Sequence, residues 1–385
     1  LLRKSWINYL QEPPIKVNLN TFCSRPWEEL HIEEDGKVTP CCVMPSNRFP
    51  MGNNLQEYST GKALHNLKSD LLRGIKNKNC EWCWNNEKDG MSSHRKKDVI
   101  ALNTTGFRSI HLRLTNVCNL KCRMCNPSFS STWAVQNKKH KLFSEKEVKI
   151  KDVFDNNEKL YELLKYNILE GRLRFIDISG GEPLITDSNF KLLNFLIDNK
   201  CDHLVSINYS TNLIKLDYKK INLIDLWKNF KHVTIEASCD GWGEAVEYSR
   251  TGFSRKTFLE CVSKLRGHKN IKLAINCVVN IYSVWTLPEI EKFRERIGAF
   301  ITYSPCYLPD HCNPQRLYKE DKENLKKLYK GNKYLEEVYS NFINKYETPM
   351  HHAMIEYNTI LDKYRDTNLF KVLPQYIDNK GDYNR

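Results

Sequence analysis

The sequence predicts an α/β fold: a partial (β/α)6 TIM-like barrel, preceded by a small α+β domain and followed by a helical extension. Three observations lead there. Between residues 109 and 304, strand-like apolar runs alternate with segments of helical period, the pattern of a parallel sheet with right-handed crossovers. Before that stretch, turn signals break up short runs that carry Cys23, Cys41, Cys42, Cys80 and Cys83. After it, the chain is charged and helical, as in "KEDKENLKKLYKGNKYLEEVYSNFINKYE". The expected units are 1–105, 106–312 and 313–385.

The barrel strands are read in order as "SIHLRLT" (109–115), "RFIDIS" (174–179), "HLVSINYS" (203–210), "HVTIEAS" (232–238), "IKLAINCVV" (271–279) and "FITYS" (300–304). Helical segments such as "DSNFKLLNFLIDN", "RKTFLECVSKL" and "LPEIEKFRERI" separate them. Roughly six units fall short of the eight that close a barrel, so an open one is expected, with functional groups at the C-terminal ends of the strands. In residues 1–105 the turn signals are "EPP", "RPW", "EDG" and "MPSNRFPMGNN". The "EDG" turn between "ELHIE" and "KVTPCC" predicts a hairpin that aims a cysteine at its far end. A helix, "GKALHNLKSDLLRGI", precedes Cys80-x2-Cys83.

Composition narrows the partners. The formal net charge is +13, but basic and acidic residues are interleaved, as in "KKHKLFSEKEVKIKD". That pattern favours a solvated surface over a nucleic-acid face, so nucleic acid is possible but not favoured. No apolar run approaches a membrane span, and no membrane partner is expected. The first residues, "LLRKSWINYL", do not read as a secretory signal. Fourteen clustered cysteines without such a signal point to a reducing compartment, with the cytoplasm as the expectation. Cys201, Cys239, Cys261, Cys277, Cys306 and Cys312 lie mostly in predicted strands or helices, where single cysteines act as small hydrophobes. His351 and His352 are expected at the surface of a helix.

The segment "CNLKCRMC" sets Cys118, Cys122 and Cys125 directly after the first barrel strand. Thiolates suit zinc, Cu(I) and iron–sulfur clusters. A structural zinc takes four ligands, so three in one loop leave a position open. Pairing Cys80-x2-Cys83 with Cys122-x2-Cys125 around zinc is the alternative, but it leaves Cys118, Cys23 and Cys41 without a role. The second strand ends in "SGGEP", where adjacent glycines let a backbone approach closely. The third ends in "YSTN", and the fourth in "SCDG" before "WGEAVEYSR".

Cys118-x3-Cys122-x2-Cys125 at the head of these units resembles the radical S-adenosylmethionine (SAM) superfamily, although Met124 stands where that family usually has an aromatic residue. The resemblance implies a [4Fe–4S] cluster on the three cysteines, with SAM on the open iron. It implies that Gly180, Gly181 and Glu182 hold the SAM amino group, and that Ser210 and Asn212 meet the ribose hydroxyls. Ser238 and Asp240 would line the ribose side, Arg250 would pair with the carboxylate, and the backbone near Asn276 would face the adenine, with Met124 beside it. Residues 20–105 resemble a twitch domain, a short SPASM-like unit placed here before the barrel. By that resemblance Cys23, Cys41 (in preference to Cys42), Cys80 and Cys83 hold a second [4Fe–4S] cluster; zinc is the alternative for four thiolates.

The activity implied is reductive cleavage of SAM and hydrogen abstraction from a substrate. A net two-electron oxidation of a peptide, amino acid or sugar-derived small molecule would follow, with the second cluster as electron acceptor and a flavodoxin- or ferredoxin-type reductant. RNA modification is an alternative within the class. A zinc-dependent nucleic-acid-binding module without catalysis is the alternative outside it.

Overall fold

The computed structural model describes residues 18, 20–44, 58, 61–88, 90, 93–97, 107–143, 148–155, 159–345 and 347–377. The turns expected at 12–14 and most of 44–54, and the boundary at 105/106, lie outside them. The main sheet has eight strands: β1 (Glu29–Ile32), β2 (Val38–Thr39), β3 (Ser109–Arg113), β4 (Phe175–Ser179), β5 (Ser206–Thr211), β6 (His232–Ser238), β7 (Ile271–Val279) and β8 (Phe300–Pro305). Their spatial order is β8-β7-β6-β5-β4-β3-β1-β2, with β2 and β8 at the two edges among the described residues.

Strands β3 to β8 are parallel and adjacent in chain order. Because the order never reverses, every right-handed crossover lays its helix on the same face. The alternating side chains Ile110, Leu112, Ile176, Ile178, Ile207, Tyr209, Val233 and Ile235 fill that face and form the main core. Helix Asp187–Asp198 is typical of its cover. Thr186 caps it by accepting from the Asn189 amide, and Phe190, Leu193 and Leu196 recur at helical spacing to meet the sheet. Each such side chain contributes roughly 1.5–3 kcal/mol on burial. The opposite face of β3–β6 is polar: His111, Arg113, Asp177, Ser179, Asn208, Ser210, Thr234, Glu236 and Ser238.

The N-terminal hairpin forms as the turn signal predicts, with Gly36 at φ +82° and Ile32 opposite Val38. It is not a separate layer, however. Strand β1 pairs in parallel with β3, from Glu29–Ser109 to Ile32–Leu112, so the hairpin extends the barrel sheet. Beyond it, Met44, Leu67 and Leu71 make a small core of their own, with Cys23, Trp27, Cys41, Cys80 and Trp84 packed around it. A larger second core joins β7 to the C-terminal helices through Cys277, Val279, Tyr282, Leu325, Tyr329, Met354 and Tyr376. His351 belongs inside, contrary to expectation. It is 4% exposed, pairs through Nε2 with Asp321 at 3.1 Å and stacks on Tyr318. Among the described residues, no helix is long and apolar enough to cross a membrane.

Candidate functional site

The three-cysteine loop leaves β3 and is pinned on every side. Ser130 caps helix Ser131–His140, and its hydroxyl also donates to the Leu120 carbonyl at 2.6 Å. Trp133 Nε1 donates to the Cys122 carbonyl at 3.0 Å, and the Cys118 amide donates to Ser131 Oγ at 3.1 Å. The Leu120 amide points at Cys118 Sγ, 3.4 Å away, the kind of contact that favours a thiolate. A short antiparallel pairing then sets Cys122 opposite Arg250.

The glycines after β4 run along this loop. The Gly181 amide donates to the Thr115 carbonyl at 2.6 Å, and the Glu182 amide to the Val117 carbonyl at 2.8 Å. A Cβ on Gly181 would collide with the Val117 carbonyl, and one on Gly180, at φ +131°, with that of Thr115. The close approach that "GG" signalled is therefore made to the chain entering the cysteine loop. Glu182, 2% exposed, accepts from Leu184 N, Thr211 Oγ1 and Asn212 N. It locks the β4 and β5 ends together. Asn212 donates to Asn119 Oδ1 at 2.9 Å, so the β5 end is tied to the cysteine loop as well.

Arg250 and Asp240 sit at the end of β6. Arg250 Nε donates to Asp240 Oδ2 at 2.7 Å, and its Nη2 lies at the same distance. The other Asp240 oxygen accepts from the Val278 amide at 2.8 Å. Asp240 is 0% exposed and both of its oxygens are engaged, one of them with Arg250, which lies opposite Cys122. Ser238 and Asn276 stand opposite each other on β6 and β7, and Asn276 Oδ1 is buried without a partner. Met124 packs against the second core. The structure thus gathers Cys118, Cys122, Cys125, Gly180, Gly181, Glu182, Asn212, Asp240 and Arg250 around one loop. Ser210 lies lower, on the polar face, opposite Glu236.

The other cysteine set is also assembled. Cys23, Cys41, Cys80 and Cys83 line one cavity of about 30 Å³, together with Arg25, Trp82 and Arg95. A single buried water needs ~10–15 Å³. Cys42 is not among the lining residues; its amide donates to Glu29 Oε1 at 3.3 Å.

Burial raises every one of these thiols: Cys23 to about 11, Cys80 and Cys118 to about 12, and Cys41, Cys83, Cys122 and Cys125 in the same direction. Buried thiols gathered in this way need a bound cation to ionise, and thiolate sets of three and four suit iron–sulfur clusters. Among the described residues no three His, Cys, Asp or Glu side chains converge on a single ion. The small apolar core beside the four-cysteine cavity is the kind that metal binding commonly completes. Both sets therefore fit clusters.

Sequence reasoning missed the polar face between the two cysteine sets. One cross-strand row runs His31, His111, Asp177, Asn208 and Thr234. His31 and His111 meet edge to face at 4.6 Å, and His111 Nε2 lies 2.7 Å from Ser179 Oγ. Burial drives the His111 imidazole down to about 3, so it is neutral. Asn208 donates to Asp177 at 3.0 Å, which turns its own buried Oδ1 away without a partner. The signal was legible as polar residues at every second position in "SIHLR", "DIS", "SINYS" and "TIEAS".

Burial, with Glu236 nearby, pushes the Asp177 carboxyl up to about 6, above the ordinary aspartate range. A raised carboxylate penalises the folded state fully above pH 6, and the penalty fades as pH falls toward the unfolded value. Asp177→Asn should therefore be more stable than the parent at pH 7, by on the order of 2–3 kcal/mol. The advantage should shrink between pH 6 and 4. Denaturant melts across that range check it, and a variant less stable at pH 7 would mean that the carboxylate is compensated.

Residues 112–292 match the family model of the radical SAM superfamily, and residues 23–85 match that of an iron–sulfur cluster-binding domain, SPASM. The chain is an enzyme with a radical SAM domain, and it carries the iron–sulfur cluster-binding domain ahead of that domain. Its cofactors are accordingly SAM and [4Fe–4S] clusters, one of them in the radical SAM domain.

Among solved structures, Streptococcus suis SuiB bound to its precursor peptide SuiA is 15% identical over 82% of this chain and 56% of that chain, with a TM-score of 0.37. SuiB bound to S-adenosylmethionine is 14% identical over 89% and 77%, with a TM-score of 0.40. TYW1 with a lysine–pyruvate adduct bound is 17% identical over 56% and 70%, with a TM-score of 0.29. The present chain thus spans little more than half of the first SuiB chain. No curated protein matches it.

Proposed function

We propose that this enzyme cleaves SAM reductively to a 5′-deoxyadenosyl radical, abstracts a substrate hydrogen and completes a net two-electron oxidation, with the N-terminal cluster as electron acceptor. The observation that carries this reading is the placement of two thiol sets at the two ends of one polar sheet face. Glu29, which accepts from the Cys42 amide, starts that face. Arg113 and Ser179, just before the cysteine loop and the paired glycines, end its middle. A substrate lying along it would be within reach of both ends.

The residues divide the work as follows. Cys118, Cys122 and Cys125 hold the SAM cluster, and Cys23, Cys41, Cys80 and Cys83 hold the second. Cys41 is preferred because it lines the cavity and Cys42 does not. Arg250, fixed by Asp240, presents its remaining N–H groups toward the SAM carboxylate, where a charge-assisted bond is favoured. Glu182 holds the loop that would receive the amino group. The row from His31 to Asn208 orients the substrate, and its unpaired acceptors suit a group bearing N–H or O–H donors.

A peptide is the favoured substrate. The polar face is an extended strip, a shape that suits a peptide in extended conformation. The reductant is a flavodoxin or ferredoxin.

The test is anaerobic reconstitution of the full chain. About eight irons should bind, two cubanes of four, and dithionite should drive conversion of SAM to 5′-deoxyadenosine. Zinc without iron or sulfide would end this reading in favour of a binding module. Tight, salt-sensitive RNA binding would move the substrate to RNA.

A further inference from the structure

Helix His351–Arg365, some 230 residues beyond the cysteine loop, packs directly behind it. Three consecutive carbonyls of the loop are held, the outer two by this helix and the middle one by Trp133 of helix Ser131–His140. Arg365 Nη1 donates to Lys121 O at 2.8 Å, Trp133 Nε1 to Cys122 O at 3.0 Å, and Tyr357 OH to Arg123 O at 2.8 Å. The Arg365 guanidinium lies over the Trp133 ring, 4.7 Å from its centre, so the indole joins the same contact.

Arg123, between Cys122 and Cys125, is 0% exposed and spends its donors on the helix and its flank. Nε reaches Tyr248 O at 3.0 Å, Nη1 reaches Asn358 Oδ1 at 2.9 Å, and Nη2 reaches Asp362 Oδ1 at 2.7 Å and Thr367 Oγ1 at 2.8 Å. The two guanidiniums differ in one respect. Arg123 has a carboxylate partner, Asp362. The contacts of Arg365 are all neutral: Gln136 Oε1, Lys121 O and Thr251 Oγ1. Its Nη2 is buried with no hydrogen-bond partner. A buried cation in that state is costly unless an anion lies close, and three thiolates in the adjoining loop are such an anion.

We infer that the C-terminal helix is part of the SAM-cluster site, with Arg123 as the positioning residue that fixes the loop and Arg365 as the charge that favours the reduced cluster. The inference rests on the assignment of Cys118, Cys122 and Cys125 to that cluster. Charge and hydrogen bonding around a cluster set its reduction potential. A nearby positive charge stabilises the state with one more electron, and a nearby negative charge opposes it.

The test is an EPR-monitored redox titration of the anaerobically reconstituted full chain, with each cluster followed separately. Arg365→Gln should keep the full iron content and move the SAM-cluster potential to more negative values. Arg365→Lys should recover part of the shift. Asp362→Asn leaves the Arg123 charge uncompensated and should move the same potential the opposite way. The N-terminal cluster should not move in any of the three.

A purely structural role predicts no shift, or shifts of one sign in all three variants, and either result would overturn the inference. If Arg365→Gln proves unstable, the sign of the Asp362→Asn shift decides alone. Failure of the ligand assignment is distinguishable, because it would leave the iron content of the Cys118, Cys122 and Cys125 variant unchanged.

Discussion

Replacing Cys118, Cys122 and Cys125 together by Ala should remove about half of the iron and all SAM cleavage from reconstituted protein. The expectation is strong because the loop does not depend on its thiols to keep its shape. Ser130, Ser131, Trp133, Tyr357 and Arg365 hold its backbone, and Arg123 anchors it from within. The variant should therefore fold, keep the N-terminal cluster and lose the activity to background. Iron and sulfide analysis with chromatography of 5′-deoxyadenosine reads both outcomes. Continued SAM cleavage by a folded variant would place the cluster on other residues.

The second large effect separates the two ends of the polar face. The triple change Cys41→Ala, Cys80→Ala, Cys83→Ala should still cleave SAM with dithionite, because Arg250, Glu182 and the cysteine loop are untouched. It should fail to release oxidised product from the true substrate. Its stability should fall too, since among the described residues the local core is small, built on Met44, Leu67 and Leu71, and metal binding is folding energy in small domains. Circular dichroism guards against a trivial loss: the parallel sheet, with its own large core, should persist. Full product from the folded variant would make the N-terminal cluster structural.

Much of this was readable in the chain. Two of the six barrel strands, 232–238 and 271–279, fall where their apolar runs put them, and the others differ at their ends by one to three residues. Buried parallel strands announce themselves by composition, and flanking turn residues mark their limits. The cysteine loop and "GGEP" were legible because short-range spacing fixes them.

What was not legible depends on partners far away in sequence. "ELHI" could pair with any edge, and nothing local says that its neighbour lies eighty residues on, at β3. Asp240 was expected to face a ligand; the buried ion pair with Arg250 is a tertiary event. The same holds for Arg123 and Asp362, 239 positions apart. His351 looked like a surface residue because adjacent histidines on a helix point different ways. One of the two points inward.

The parallel pairing of β1 with β3 has a consequence for how the molecule can be divided. An unpaired inner strand such as β3 exposes a row of backbone donors and acceptors, which other chains readily capture. The N-terminal hairpin occupies that row. A radical SAM domain cut just before β3 would begin with a raw edge, and the excised hairpin would lose its parallel neighbour. The two cofactor-bearing parts therefore share one cooperative unit across a seam of backbone hydrogen bonds. Evolutionary exchange of the front domain would have to supply a replacement strand along with its cysteines.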